Sequence, residues 1–466
     1  MPDLEVHFEP FLHMAGLTAE DALIAWGGFY FRRGDSSYGE WRIVDDEELH
    51  EVAGERTETI GVSSEPYGEA LVEVEQDGEV VASAATTEAN HVAIEGLEPA
   101  TEYRYRVTVD GEPWAEGERL DWDPDRATLR PRGRRYDNRF RTFPAADSEE
   151  PLSFAVLGDF GVGILKPGGD GARQLRLARA LERACGSREI AMVLTTGDNI
   201  YLGEGDHISD SGREDDDWYA SFHEPYRYLI NRIPVYPTVG NHDTGDTESS
   251  DDRDQLADNL FLDLRFRPEV EAGRASLDPG LFYRLRVGAN AEFICIDTSV
   301  ANEVGMEHYF DDSRHAEWLR EALRADQGEA LWRIPFSHHP PYCAGPKHGC
   351  TEGMVERLVP LFEQGDVRLA LSGHEHNFQY SEVNGIHYFV SGAAGKLREG
   401  EPAGFDEART RAWAAAGHFL LVELDAHRAI VHPVADVGED GSLELIEMRA
   451  PGGEAVSGPF EIRRSA

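Results

Sequence analysis

Phe154-Ala155-Val156-Leu157-Gly158-Asp159-Phe160-Gly161 is an apolar run that stops on a glycine and a carboxylate. A short uncharged run bounded by a turn signal reads as a buried strand, and the carboxyl end of such a strand is where an open α/β sheet places its ligands. The pattern recurs. Met192 to Thr195 leads into Gly197-Asp198-Asn199-Ile200-Tyr201, and Val235-Tyr236-Pro237-Thr238-Val239 leads into Gly240-Asn241-His242-Asp243. Trp332 to Phe336 runs into Ser337-His338-His339-Pro340-Pro341-Tyr342, and Val367 to Leu371 into Ser372-Gly373-His374-Glu375-His376-Asn377. Strand ends far apart in sequence can converge in such a sheet, and the glycines allow the sharp turns that this requires.

Working outward, Glu292 to Ile296 adds a further strand, and helical patterns cover Ala172 to Ala184, Trp218 to Ile230, Arg314 to Arg324 and Thr351 to Phe362. Strands alternating with helices predict an α/β layer architecture from Leu152 onward, with Phe419 to Leu424 and Ala429 to Val434 building a second sheet. The acidic stretch Asp210 to Asp217 reads as a solvated loop. Before residue 145 the pattern is all-β: Ala22 to Trp26, Ala70 to Val74 and Glu102 to Val107 are short strands separated by Gly, Asp and Pro turns, the spacing of a sandwich. Asp121 to Arg135 reads as an insertion before a last strand at Arg139 to Phe143, and Ala145 to Pro151 as the linker. Two domains are predicted, 1–145 and 151–466.

The chain has 466 residues, 41% of them hydrophobic, enough for more than one core. A formal charge of −44 excludes a nucleic-acid partner, since such a surface repels a phosphate backbone. Lysine occurs only at 166, 347 and 396. No apolar run reaches the roughly 20 residues of a bilayer span, so no membrane partner is expected. If Met1 is the native start the protein is cytoplasmic; if a leader preceded it, secreted or periplasmic. Cys185 and Cys295 read as core residues, whereas Cys343 and Cys350 flank one loop and could form a disulfide in an oxidising compartment.

Taken singly, each motif has an ordinary structural explanation, because aspartate after a strand is commonly a turn or cap residue and His-Pro a loop element. Together they hold nearly every residue type that a site for two hard metal ions uses. The set resembles the calcineurin-like metallophosphoesterase superfamily and, through Tyr201 three residues after Asp198, the purple acid phosphatases. That resemblance covers the whole chain and is strongest from Leu152 to Tyr380. It implies a four-layer sandwich of two mixed β-sheets flanked by helices, preceded by a fibronectin type III-like β-sandwich of which Val92 to Tyr103 carries the signature.

By position, the resemblance implies that Asp159, Tyr201 and His376 bind a first metal, in this family usually Fe(III), and that Asn241, His338 and His374 bind a second, Fe(II), Zn(II) or Mn(II). Asp198 would bridge them. Hard anionic donors suit the trivalent ion, and imidazole with a neutral amide the divalent one. His242 and His348 match substrate-facing positions that orient phosphate or protonate the leaving alkoxide. His339 is expected to be structural and Glu375 either exposed or packed behind the ligands. Pro335 departs from the family's valine and bears on strand geometry. The implied activity is hydrolysis of small phosphate monoesters by a metal-activated hydroxide. The alternatives are a manganese- or zinc-dependent phosphodiesterase or pyrophosphatase of the same superfamily, and a non-catalytic binding protein whose function lies in the sandwich.

Overall fold

The structure is a computed structural model that describes residues 5–34, 41–201, 215–243, 251–277, 280–300, 305–324 and 330–464. From Leu152 onward two sheets lie face to face. A seven-stranded sheet runs in the order Val235–Tyr236, Val193–Thr195, Leu152–Leu157, Phe419–Leu424, Arg428–Val437, Leu443–Leu445, with Phe460–Arg463 also paired to Arg428–Val437. Its first three strands are parallel and Phe419–Leu424 is antiparallel to Leu152–Leu157. The nine-stranded sheet opposite runs from Phe282–Val287 through Ala291–Ile296, Trp332–Ser337, Leu369–Ser372 and Ile386–Ser391 to Ala455–Val456, and it too is mixed.

Alternation along a strand sends neighbouring side chains to opposite faces, so a strand covered on both sides reads as continuously apolar. Ala291–Ile296 does this: Phe293 and Cys295 enter the core between the sheets, while Ile294 and Ile296 pack under the helices Arg314–Ala322 and Glu352–Arg357 with Trp318, Leu319 and Met354. Phe154 meets Phe293 edge-on at 4.9 Å across the two sheets. The helix Gly169–Ser187 covers the outer face of the first sheet through Leu177, Ala180, Leu181 and Ala184. Helix, sheet, sheet and helix make the four layers that the family resemblance implies, but Phe419–Leu424 and Arg428–Val437 extend the sheet of Leu152–Leu157, and the second sheet is built instead around Ala291–Ile296, Trp332–Ser337 and Leu369–Ser372.

The N-terminal region is all antiparallel. One sheet joins Val6–Leu17, Ala22–Arg33, Trp41–Ile43 and His91–Ile94; the other contains Arg139–Arg141, Glu102–Val109, Ala70–Gln76 and Glu79–Thr86. Glu102–Val109 buries every second side chain, Tyr103, Tyr105, Val107 and Val109, as a half-exposed strand must.

Several expectations change. Trp218 to Ile230 is not one regular helix: a π-helical turn, Tyr219–His223, precedes Glu224–Ile230 and turns Tyr219 into the aromatic cluster of Phe11, Phe29 and Phe31. Thr351 to Phe362 divides into Glu352–Arg357 and Val359–Gln364, because Pro360 in the first turn of the second lacks an N–H to continue the first. Of the acidic stretch, 210–214 lies outside the described residues, but Asp217 is fully buried in a helical turn and is not a solvated loop residue. Asp121 to Arg135 is a hairpin, Leu120–Asp123 with Thr128–Pro131, that docks on the α/β part: Trp122 donates its backbone N–H to Glu224 at 2.7 Å and its indole N–H to the Leu165 carbonyl at 3.1 Å. Cys343 and Cys350 are free thiols, their sulfurs directed at the carbonyls of His348 and Cys343 respectively. Pro335 keeps its place in the ladder to Ala291–Ile296, opposite Ile294, while on the other side Trp332–Ser337 registers with Leu369–Ser372 only at Phe336 and Leu371. A strand residue without an N–H is accommodated by sparing one of its two ladders.

A buried charge cluster joins the N-terminal sheets to the α/β part. Arg227, 1% exposed, donates to Glu9 at 2.7 Å and to Glu224 at 3.2 Å, and its guanidinium lies 4.2 Å from the Phe11 ring centroid. Burial pushes Glu9 up, but bonds to His7 and Arg227 reverse this and hold it below the usual carboxylate range. Removing one member of a buried pair strands the other in a poor dielectric. Arg227→Met is therefore expected to destabilise the protein by about 3–5 kcal/mol, read as a fall in the denaturant midpoint, whereas Glu224→Gln, which keeps an acceptor for Trp122, costs less.

Candidate metal centre

The expected ligands come together where the two sheets present their strand ends. Leu152–Leu157 delivers Asp159, Val193–Thr195 delivers Asp198 and Tyr201, and Val235–Tyr236 delivers Asn241 and His242. From the second sheet, Trp332–Ser337 delivers His338 and Leu369–Ser372 delivers His374 and His376. Asp159, Asp198 and His374 each sit in the left-handed backbone region, with φ of 55°, 51° and 69°. Non-glycine residues there carry strain that the surroundings must hold, a feature concentrated at functional sites.

Asp243 supplies part of that hold. Its buried carboxylate accepts the backbone N–H groups of Asn199 (2.7 Å), Ile200 (3.0 Å) and Gly240 (2.7 Å) and the Asn199 amide (2.8 Å), tying the Asp198 turn to the Asn241 turn. Burial raises its carboxyl above the ordinary range, and so does the neighbouring Asp198. The turns touch so closely that a Cβ on Gly240 would lie 2.1 Å from Asp198 Oδ1, which only glycine avoids.

Two groups of donor atoms result. In one, Asn241 Oδ1, His338 Nε2 and His374 Nδ1 stand 3.0, 3.1 and 3.1 Å from one another. His338 Nδ1 is 2.8 Å from the Thr196 carbonyl oxygen and must carry the proton, so Nε2 presents a bare lone pair to the amide oxygen. Two such lone pairs at 3.0 Å repel unless a cation lies between them. In the other group, the Tyr201 hydroxyl is 3.3 Å from both Asp159 Oδ1 and His376 Nε2, which are themselves 3.4 Å apart. Asp198 belongs to both: its Oδ1 is 3.4 Å from His338 Nε2, and it groups with Asp159 and His376 with ligand atoms all within 4.8 Å. The residues fit a pair of cations.

The electrostatics agree. Burial raises the Asp159 carboxyl and the Tyr201 phenol well above their ordinary values, and it raises Asp198, with the Asp159 charge adding to the effect. Burial also pushes His338 down to about 3 and His376 to about 4. Each group is driven toward its neutral form; a cation bound here would reverse the carboxyl and phenol shifts, while the imidazoles, already neutral, would offer it their lone pairs.

His242 donates its backbone N–H to Asp198 Oδ1 at 3.0 Å and sets its ring 4.5 Å from that of Tyr201. The His348 ring lies 3.9 Å from that of His374. His242 thus adjoins Tyr201 of one donor group and His348 adjoins His374 of the other. His339 is buried, its Nδ1 2.9 Å from the Thr298 hydroxyl, although its ring is near enough to His338 and His374 to form a third combination of donors. Glu375 is not exposed; it is fully buried behind the histidines. Sequence reading missed Lys396 and Arg398, on the loop after Ile386–Ser391. The backbone N–H of Lys396 binds the Asp159 carbonyl oxygen at 2.9 Å and its ammonium lies 4.8 Å from the Tyr201 ring centroid. Arg398 Nη2 is 3.3 Å from His376 Nδ1. The available signal was Gly392-Ala393-Ala394-Gly395, another small-residue turn directly after a strand.

Residues 152–378 match the calcineurin-like phosphoesterase family. The chain is 26% identical over 248 residues to tartrate-resistant acid phosphatase type 5 of Rattus norvegicus, covering 52% of this chain and 72% of that protein. It is 22% identical over 302 residues to purple acid phosphatase 7 of Arabidopsis thaliana, covering 60% and 82%. In fold, it resembles PhoD with a TM-score of 0.61 at 14% identity, over 96% of this chain and 91% of that one. A purple acid phosphatase from yellow lupin (Lupinus luteus) seeds aligns with a TM-score of 0.57 at 14% identity, over 95% and 74%.

Because Asp159 and Asp198 must lose their protons to meet a cation, metal binding is expected to release protons and to weaken as pH falls. Addition of Zn(II) to metal-free protein in weak buffer should acidify the solution. Asp198→Asn should release measurably less, and an equal release would contradict ligation by this carboxylate.

Proposed function

Since the chain belongs to the calcineurin-like phosphoesterases, and is a phosphoric ester hydrolase, we propose that it hydrolyses small phosphate monoesters at a two-metal centre. The supporting observation is the pair of donor groups with Asp198 within reach of both. Asp159, Tyr201 and His376 would hold the first ion and Asn241, His338 and His374 the second, with Asp198 between. Carboxylate and phenolate suit Fe(III), while two imidazoles and an amide suit Fe(II), Zn(II) or Mn(II). Bound there, the ions would supply the charge that neutralises a phosphate and acidifies water.

The chain's own contribution is geometric and electrostatic. Thr196 fixes the His338 tautomer through its carbonyl oxygen, so the lone pair on Nε2 faces inward at every pH above about 3. Asp243 and the Asp198 backbone turn keep the carboxylates in strained but fixed positions. His242 stands beside Tyr201 and His348 beside His374, and each imidazole would hydrogen-bond a phosphate oxygen. Burial, with Arg398 and Lys347 adding to it, pushes His348 down to about 4, so the free protein carries it neutral near pH 7. An arriving phosphate dianion acts with the opposite sign and favours the imidazolium, which can then give its proton to the leaving alkoxide.

Protein reconstituted with iron and zinc should hydrolyse 4-nitrophenyl phosphate, lose activity to a chelator and regain it on metal addition. His242→Ala should lower kcat/KM by about 10²–10⁴-fold. A broad visible absorption band absent from Tyr201→Phe would mark phenolate on Fe(III). Failure of fully metallated protein to cleave the monoester, or preferential cleavage of a diester, would contradict this reading.

A further inference from the structure

We infer that Glu375 and Arg398 form a positioning pair that sets His348, the proposed proton donor, over His374; this rests on the role proposed for His348 above. Glu375 lies between two histidines of the donor groups in sequence, and it is fully buried. Oε2 accepts the backbone N–H of His348 at 3.0 Å and Arg398 Nη1 at 2.8 Å. Arg398 is fixed in turn, its backbone N–H on the His376 carbonyl oxygen at 2.8 Å. The loop that carries His348 rests directly on this carboxylate: a Cβ on Gly345 would come within 2.4 Å of Glu375 Cγ and Cδ.

A carboxylate without solvent is costly unless compensated, and one guanidinium with one amide is a lean set of partners, since among the described residues Oε1 meets no hydrogen-bond donor. A glutamine could accept the same two bonds through its carbonyl at lower cost. What those two bonds do is set by geometry, which either side chain would preserve. A single atom, Oε2, fixes both the loop holding His348 and the cation beside His376. With the loop so tied, the His348 ring is held 3.9 Å from that of His374. Without the tie, the main chain at His348 loses its hydrogen bond.

A proton donor matters most when the leaving alkoxide is a poor one, so two esters separate positioning from stability. Metallated wild-type protein, His348→Ala, Glu375→Ala, Glu375→Gln and the double variant H348A/E375A would be compared on 4-nitrophenyl phosphate and glycerol phosphate, with metal content measured on each. Glu375→Ala should lower kcat on glycerol phosphate by about 10–100-fold, with a much smaller loss on the nitrophenyl ester and full metal content. Glu375→Gln should recover most of that loss, and the double variant should be no worse than His348→Ala. Equal losses on both esters, or losses that multiply in the double variant, would overturn the inference while leaving the phosphatase reading intact. A wild-type protein inactive on both esters would instead contradict the proposed function.

Discussion

The structure depends on one constraint: electron-pair donors from five strand ends are packed against one another. Asn241 Oδ1 and His338 Nε2 at 3.0 Å illustrate it, because two unprotonated acceptors do not approach so closely unless something positive is shared between them. The surroundings can be read as devices that hold this arrangement. Left-handed φ angles at Asp159, Asp198 and His374, four hydrogen bonds on Asp243, and a glycine at 240 that leaves no room for a methyl group are all unfavourable or exacting locally. They make sense together as the means of fixing donors in place before any ion arrives.

Much of this was legible in the sequence because the signals are local. An apolar run ending in Gly-Asp or Gly-His specifies a strand, its end and the residue presented there, and alternation with helices gives the α/β class, but which strands share a sheet is set by long-range pairing, so Phe419–Leu424 joins Leu152–Leu157 and not a sheet of its own. The motifs that carry the donor residues could be picked out one by one, whereas the grouping of those residues into two sets came from the family resemblance. What sequence reading missed was set by packing. Asp217 reads as solvated but is buried, and of the two places open to Glu375 the structure shows the buried one, with Arg398 as its partner, supplied from another strand end. Tyr219–His223 takes a π-helical turn where Tyr219 enters aromatic contacts with the N-terminal sheet, which no helical periodicity encodes. The hairpin at Leu120–Asp123 and Thr128–Pro131 looked like an insertion because its purpose, docking Trp122 on Glu224 and Leu165, lies on the other part of the chain.

Charge distribution adds a second theme. With a formal charge of −44 the surface as a whole repels anions, yet two of the few lysines, Lys347 and Lys396, lie with Arg398 around the donor groups. These cations set positive charge beside the donor groups on an otherwise acidic body. Among the described residues, no helix is long and apolar enough to cross a membrane. The N-terminal sheets, joined to the α/β part by Arg227 and the Phe11 cluster, are a packed component of the molecule rather than a loose appendage.

The most direct measurement is anomalous diffraction from crystals of the metallated protein. The account predicts two peaks in each chain, one against Asn241, His338 and His374, the other against Asp159, Tyr201 and His376, with Asp198 contacting both. A single peak, or a second ion held by His339 in place of Asn241, would contradict it.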